Sequence, residues 1–416
     1  MIIRKLLWTS LIISVPLVSL SDGQAWTQFR GQGGQGHSDA SNLPVSWNSE
    51  KNIRWKLPIP GSGWSSPVFD SDILVLTSAV QQQSVAESYW LTVFGIDPET
   101  GNRKWTTPVF SLDDEAPGIH RKNGHASPTP LLEGDRIYVH FGHMGIACID
   151  KQGRVLWRNQ KLAYRPVHGS GGSPILAGDK LIFNCDGGRD PFIVALYKKS
   201  GKVAWRVSRQ TDARKTFSFC TPLLISVDGQ TQLISPGSNV VNALNPDTGQ
   251  SIWQVRYDGF SVVPRPVFDQ GLLFLSSGFE RPVLLAIRPD GRGDVTDTKV
   301  VWTSRRSVPK TPSFLSIDKE LYTFSDNGIA TCYDAKTGEI HWNERIGGDY
   351  SASPIYADGR IYVTSEDGKT VVLQPGTKFQ KITENEFHER TLSSIAVTSG
   401  ALFLRTEHNL YRIEKL

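Results

Sequence analysis

Three observations on the sequence predict an all-β fold, an eight-bladed β-propeller built from four-stranded blades. The first is a turn glycine followed four residues later by tryptophan, at Gly101–Trp105, Gly153–Trp157, Gly201–Trp205, Gly249–Trp253 and Gly338–Trp342. The second is a short polar residue and proline at the start of each unit: Ser66-Pro67, Ser127-Pro128, Ser173-Pro174, Thr221-Pro222, Thr311-Pro312 and Ser353-Pro354. Arg265-Pro266 stands in register with these, and Thr391-Leu392 opens a last unit without the proline. The third is spacing. The eight openings lie 38–61 residues apart, around the ~40–45 residues of a propeller blade.

Within a unit the strands follow from period-two alternation and turn punctuation. In the second unit, Ser127–Leu132 reads as strand one and Arg136–Phe141 as strand two, separated by Glu133-Gly-Asp135. Ile146–Asp150 is strand three, Lys151-Gln-Gly153 the turn, and Arg154–Arg158 strand four. The turn glycine supplies a left-handed residue that a Cβ would oppose. The eighth unit has only three strands before the chain ends at Leu416. Asn52-Ile-Arg-Trp55-Lys resembles Asn102-Arg-Lys-Trp105-Thr, so the amino-terminal strand is expected to complete the last blade. Closure of this kind removes the free sheet edges that invite aggregation. The seventh blade carries Phe379 where the others carry Trp, and the fifth holds an insertion between Pro289 and Trp302. Trp55, Trp105, Trp157, Trp205, Trp253, Trp302 and Trp342 are expected to seal the interfaces between blades.

Residues 1–25 read as a secretory signal, with Arg4 and Lys5, an apolar run Leu6–Leu20 broken by Pro16, and small residues before Ala25. The run is short of the roughly 20 residues a membrane span needs. Residues 26–416 then form one propeller domain in the periplasm or secreted, with no transmembrane segment and no cysteine placed for lipidation. A net charge of +4 over 416 residues, dispersed along the chain, gives no argument for nucleic acid.

Of four cysteines, Cys148 and Cys332 fill the same small slot before the turn of blades two and six, where other blades place Gly95, Ala195 and Ala243. These two lie across the ring from each other, beyond disulfide reach. Cys185 and Cys220 lie in neighbouring blades, and both a bond and two free thiols are left open. Gly31-Gln-Gly-Gly-Gln-Gly36 matches a dinucleotide pattern but lacks the flanking strand and helix, so it reads as an extended surface segment. Asp113-Asp-Glu115 reads as a solvated loop. No zinc or haem spacing and no Gly-x-Ser-x-Gly elbow occurs.

First strands line a propeller's channel, so the loops before them share one mouth. They offer Trp64, Asn123, His125, Arg165, His168, Phe219, Arg265, Lys310, Tyr350 and Arg390. Cations, histidines and aromatics around one funnel suit an anion or peptide.

The phrases Asp97–Trp105, Asn245–Trp253 and Asp334–Trp342 resemble the repeats of PQQ-type (pyrroloquinoline-quinone-type) propellers. Trp26-Thr-Gln-Phe-Arg-Gly31 and Arg121–Pro130 resemble an exported bacterial subset described as BamB-like. One branch of that resemblance implies a non-catalytic, monomeric scaffold that binds a protein or peptide, as in outer-membrane protein assembly or in ligand sensing. The other implies a PQQ-dependent dehydrogenase with calcium and a disulfide of adjacent cysteines. No two cysteines here are adjacent, so the scaffold is the expectation, with no cofactor, no metal and no catalytic residue assigned.

Overall fold

A computed structural model describes residues 25–82, 88–112, 118–162 and 164–416. Residues 1–24, which by sequence read as part of a secretory signal, and Asp113-Asp-Glu115 lie outside these. Eight antiparallel four-stranded units form the blades of the ring. Blade two, for example, runs Leu131–Glu133, Arg136–His140, Ile146–Asp150 and Val155–Asn159. The strand at Ile53–Pro58 pairs antiparallel with Asn409–Glu414, setting Trp55 opposite Arg412 and Leu57 opposite Leu410. The last blade is therefore closed by the amino-terminal strand, as its sequence suggests. The single α-helix among the described residues is Thr296–Lys299, inside the fifth-blade insertion. The same insertion adds Gly293–Asp294 as a parallel strand to the outer edge of blade four.

The tryptophans explain how one blade meets the next. Indole Nε1 of Trp105 donates to Lys151 O at 2.7 Å, and Trp205 donates to Pro246 O at 3.0 Å. Trp55, Trp157, Trp302 and Trp342 likewise donate to turn carbonyls of the following blade. Beneath six of the seven indoles, all but that of Trp55, lies a small residue. Gly95, Cys148, Ala195, Ala243, Ala286 and Cys332 are the strand partners of Trp105, Trp157, Trp205, Trp253, Trp302 and Trp342. A Cβ on Gly95 would come within 2.2 Å of Trp105. The turn glycine has a second constraint besides its φ of +83° at Gly153: the preceding blade's indole lies 2.8 Å from where its Cβ would stand.

Trp253 departs from this pattern, because the insertion displaces the turn it would meet. Its Nε1 donates instead to Gln232 Oε1 at 2.8 Å, and Gln232 Nε2 donates to Pro289 O at 3.0 Å. The glutamine side chain thus bridges indole and turn. All four cysteines are free and buried, which answers the open question about Cys185 and Cys220.

The segment Gly31–Gly36 is not an extended surface piece. Residues 26–38 cross one end of the channel. Trp26 exchanges backbone hydrogen bonds with Phe69, Thr27 O accepts from Leu132, and Gly36 O accepts from Tyr356. His37–Ser38 then pairs in parallel with Ile355–Ala357 of blade seven. Arg30, 1% exposed, donates to Phe314 O and Gln35 O. The sequence offers no flanking strand and helix for a nucleotide loop here, and no local signal shows that this stretch is a plug.

Candidate functional site

Every first strand begins two residues after a position that, in seven of the eight blades, sends its main-chain N–H to the next blade, Thr221 being the exception. Those positions are Ser66, Thr129, Ser173, Thr221, Arg265, Ser313, Ser353 and Ser394, ahead of strands starting at 68, 131, 175, 223, 267, 315, 355 and 396. Ser66 N donates to Thr129 Oγ1, Thr129 N to Ser173 Oγ, and Ser173 N to Thr221 Oγ1. Arg265 N donates to Ser313 Oγ, Ser313 N to Ser353 Oγ, Ser353 N to Ser394 Oγ, and Ser394 N back to Ser66 Oγ. Seven hydroxyls therefore lace the eight blades together. The interval from blade four to blade five is bridged differently: Arg265 has no hydroxyl, and its Nε donates to Pro222 O at 3.1 Å. Proline suits the next position because a channel-edge strand has no ladder partner for the missing N–H. This lacing corrects the register expected in three blades. The openings are Thr129, Ser313 and Ser394, not Ser127, Thr311 and Thr391: Ser-Pro-Thr-Pro at 127–130 holds two equivalent starts, and Ser313 and Ser394 are followed by Phe314 and Ile395 instead of the proline that marks the other units.

The hydroxyl ring lines a cavity of about 580 Å³. The loops before each strand form its mouth, and Phe29, from the plug, lines it from the opposite end. One wall is an arc of rings. Centroids of His120 and His168 are 5.6 Å apart, His168 and Phe217 5.3 Å, Phe217 and Phe260 5.7 Å, and Phe260 and Phe279 5.8 Å. Lys215 Nζ lies 4.3 Å from the Phe260 centroid and Lys310 Nζ 5.0 Å from that of Phe279, both cation–π distances. Lys122 is paired with Glu366 at 2.7 Å. Burial, then the charge of His168, pulls His120 below the ordinary histidine range.

Of the ten mouth residues expected from sequence, Trp64, Asn123, His168, Phe219 and Lys310 line this cavity. Arg390 sits at the rim, its guanidinium 5.0 Å from the Trp64 ring and donating to Arg121 O. The other four lie elsewhere. His125 is buried against Tyr89, at 5.6 Å between ring centroids. Arg165 is exposed and does not line the cavity. Tyr350 is fully buried in the core shared by blades six and seven. Arg265 is 2% exposed, and its Nη1 donates to Phe29 O of the plug. Choosing one residue per loop at a fixed offset missed Lys215, Phe217, Phe260 and Phe279, since loops of different length present different residues. The clustering of Lys215, Phe217 and Phe219 in one loop was the available signal.

Two cations stand below the floor without an acidic partner. Burial lowers Arg265 to about 10. Burial, then the charge of Arg265, lowers Arg30 to about 9. Both stay charged at neutral pH, and neither forms an ion pair among the described residues. Asp326 also lines the cavity. Its carboxylate accepts from Lys310 N and Thr311 Oγ1, and burial raises its pKa. Among the described residues no three His, Cys, Asp or Glu side chains converge to hold a metal ion.

A family model described as outer membrane protein assembly factor BamB matches residues 38–158, 92–299 and 291–378, most of the chain. The chain belongs to the BamB family. It is 21% identical over 315 residues to the outer membrane protein assembly factor BamB of Yersinia pestis, a match over 74% of this chain and 66% of that protein. The chain thus spans just under two thirds of that relative's length. The crystal structure of BamB from Moraxella catarrhalis superposes with a TM-score of 0.59 at 16% identity, covering 87% of this chain and 99% of that one. A europium-containing methanol dehydrogenase superposes at 0.69 and 10% identity, covering 95% and 98%. At these identities the structural likenesses establish the fold. No helix among the described residues is long and apolar enough to cross a membrane.

Proposed function

We propose that this chain is an exported, non-catalytic binding propeller that holds a segment of a protein partner in its mouth during envelope protein assembly. The observation that carries the reading is the cavity itself, closed at one end by residues 26–38 and lined at the other by the Phe217–Phe279 arc. A channel stopped in this way is a receptacle and not a conduit. Membership in the BamB family supports the assembly role.

The test is site-specific photocrosslinking in the native cell. A photoreactive residue at Phe279, which is 49% exposed at the mouth, should give a discrete adduct with an envelope protein. The same residue at Leu156, on the outer strand of blade two, should not. Equal adducts from both positions, or none from either, would refute the reading.

A second reading, a quinoprotein dehydrogenase, is favoured by the superposition on a methanol dehydrogenase over nearly the whole of both chains. The chain has no two adjacent cysteines, and no catalytic step is assigned. Titration with PQQ and calcium, followed by alcohol-dependent dye reduction, separates the two readings.

A further inference from the structure

Hydrogen-bond direction in the hydroxyl ring has a chemical consequence. Each of the seven hydroxyl oxygens already accepts an N–H from the preceding blade. That bond uses a lone pair and leaves the proton free to turn away. Ser353 gives its proton to Ser313 Oγ. The other six protons meet no acceptor among the described residues, and all seven side chains line the cavity. The floor is therefore a converging set of donors. A group that only accepts, such as an ionised carboxylate with about four acceptor sites, satisfies such a set. The main-chain bonds hold the hydroxyl oxygens in place, so only their protons turn when the anion arrives.

The surrounding charge points the same way. Lys310 lines the cavity and makes no ion pair among the described residues. Arg265 and Arg30 lie buried below the floor, also without carboxylate partners. Arg30 Nε and Nη1 have no hydrogen-bond partner there at all. Among the described residues the one carboxylate on the lining, Asp326, has its oxygens engaged by Lys310 N and Thr311 Oγ1. Above the donors stands the Phe217–Phe260–Phe279 arc, which favours a flat apolar body over water.

We infer that the cavity is a receptor for a carboxylate attached to an aromatic group, with the carboxylate on the hydroxyl ring and the aromatic group on the phenylalanine arc. The inference rests on the cavity being the binding site proposed above. It adds the chemistry of what enters. The same chemistry occurs in a free aromatic acid and in a polypeptide ending in an aromatic residue.

Calorimetry on the full mature chain tests it with N-acetylphenylalanine, its carboxamide, acetate, and a hexapeptide ending in phenylalanine as free acid or amide. The acids are expected to bind about tenfold tighter than the matched amides, the contrast a charged hydrogen-bond acceptor gives over a neutral one. Acetate should bind far more weakly than either acid. Tighter binding of the hexapeptide identifies a chain end as the source, and tighter binding of N-acetylphenylalanine a free acid. Thr221→Val and Lys310→Met should each reduce the acid-to-amide ratio several-fold. Loss of fold alone would weaken both probes and leave the ratio unchanged, and Lys310→Met touches no lacing bond. Acid and amide binding equally, or neither binding, overturns the inference. If neither binds while Phe279 still crosslinks its partner, the ligand chemistry fails and the proposed function stands. If the crosslink is also lost, both fail.

Discussion

Five of the seven tryptophans, Trp105, Trp157, Trp205, Trp302 and Trp342, do two jobs with one ring, covering the small residue on their own blade and donating to the turn of the next. Trp205 combines both: it is 9% exposed, lies over Ala195 and the Gly249 turn, and donates to Pro246 O. Trp205→Ala should destabilise the fold by about 3–5 kcal/mol, read as a fall in the denaturation midpoint with unchanged slope. A midpoint equal to wild type would remove the interface role. Trp253 shows how the contact survives an insertion, since Gln232 carries the hydrogen bond across the gap. Cys148 and Cys332 belong to the same account. They are small fillers under indoles, and burial holds Cys148 up at about 11, far from a reactive thiolate.

At the scale of elements, the plug and the hydroxyl ring divide the channel into a floor and a mouth. This division separates two cations that look equivalent in the sequence. Arg265 opens the first strand of blade five and is held by Phe29 O and Pro222 O. Lys310 stands five residues before its strand, against two for Arg265, and lies over Phe279. Arg265→Glu should prevent folding or cost several kcal/mol, because a carboxylate would face two carbonyl oxygens without water. Lys310→Glu should leave the melting temperature within about 1 °C, as expected of a substitution away from buried contacts. Thermal melts of both variants decide the point, and equal losses would contradict the division. Gly34 reinforces it: a Cβ there would overlap the Arg265 guanidinium.

At the scale of the whole molecule, stability should depend on pH through buried histidine. Burial lowers His140 to about 4, against about 6.5 in an unfolded chain. Between these values the unfolded chain binds the additional proton. Stability from this group is therefore fully present above about pH 6.5 and is lost as pH falls toward 4. The shift corresponds to about 3 kcal/mol at the acid limit. Melting temperature should fall over that range, and His140→Phe should flatten the slope. An unchanged slope would place the acid sensitivity elsewhere. The ring also shares load between remote segments: blade eight depends on Ile53–Pro58, and the floor depends on residues 26–38, so amino-terminal truncation should reach every blade.

Local sequence was enough to specify the blades. Period-two alternation, glycine at left-handed turns and tryptophan at fixed spacing are short-range consequences of backbone geometry, and the closing strand at Ile53–Pro58 carries the same local phrase. The free state of Cys185 and Cys220, the burial of Arg265 and Tyr350, and the plug at Gly31–Gly36 were decided only by tertiary structure. Each depends on which surface arrives from a distant part of the chain, such as Phe29 meeting Arg265. The hydroxyl ring lies between these cases. Its serines and threonines stand plainly in the sequence, but their register and their free protons exist only once eight separate strands converge on one axis.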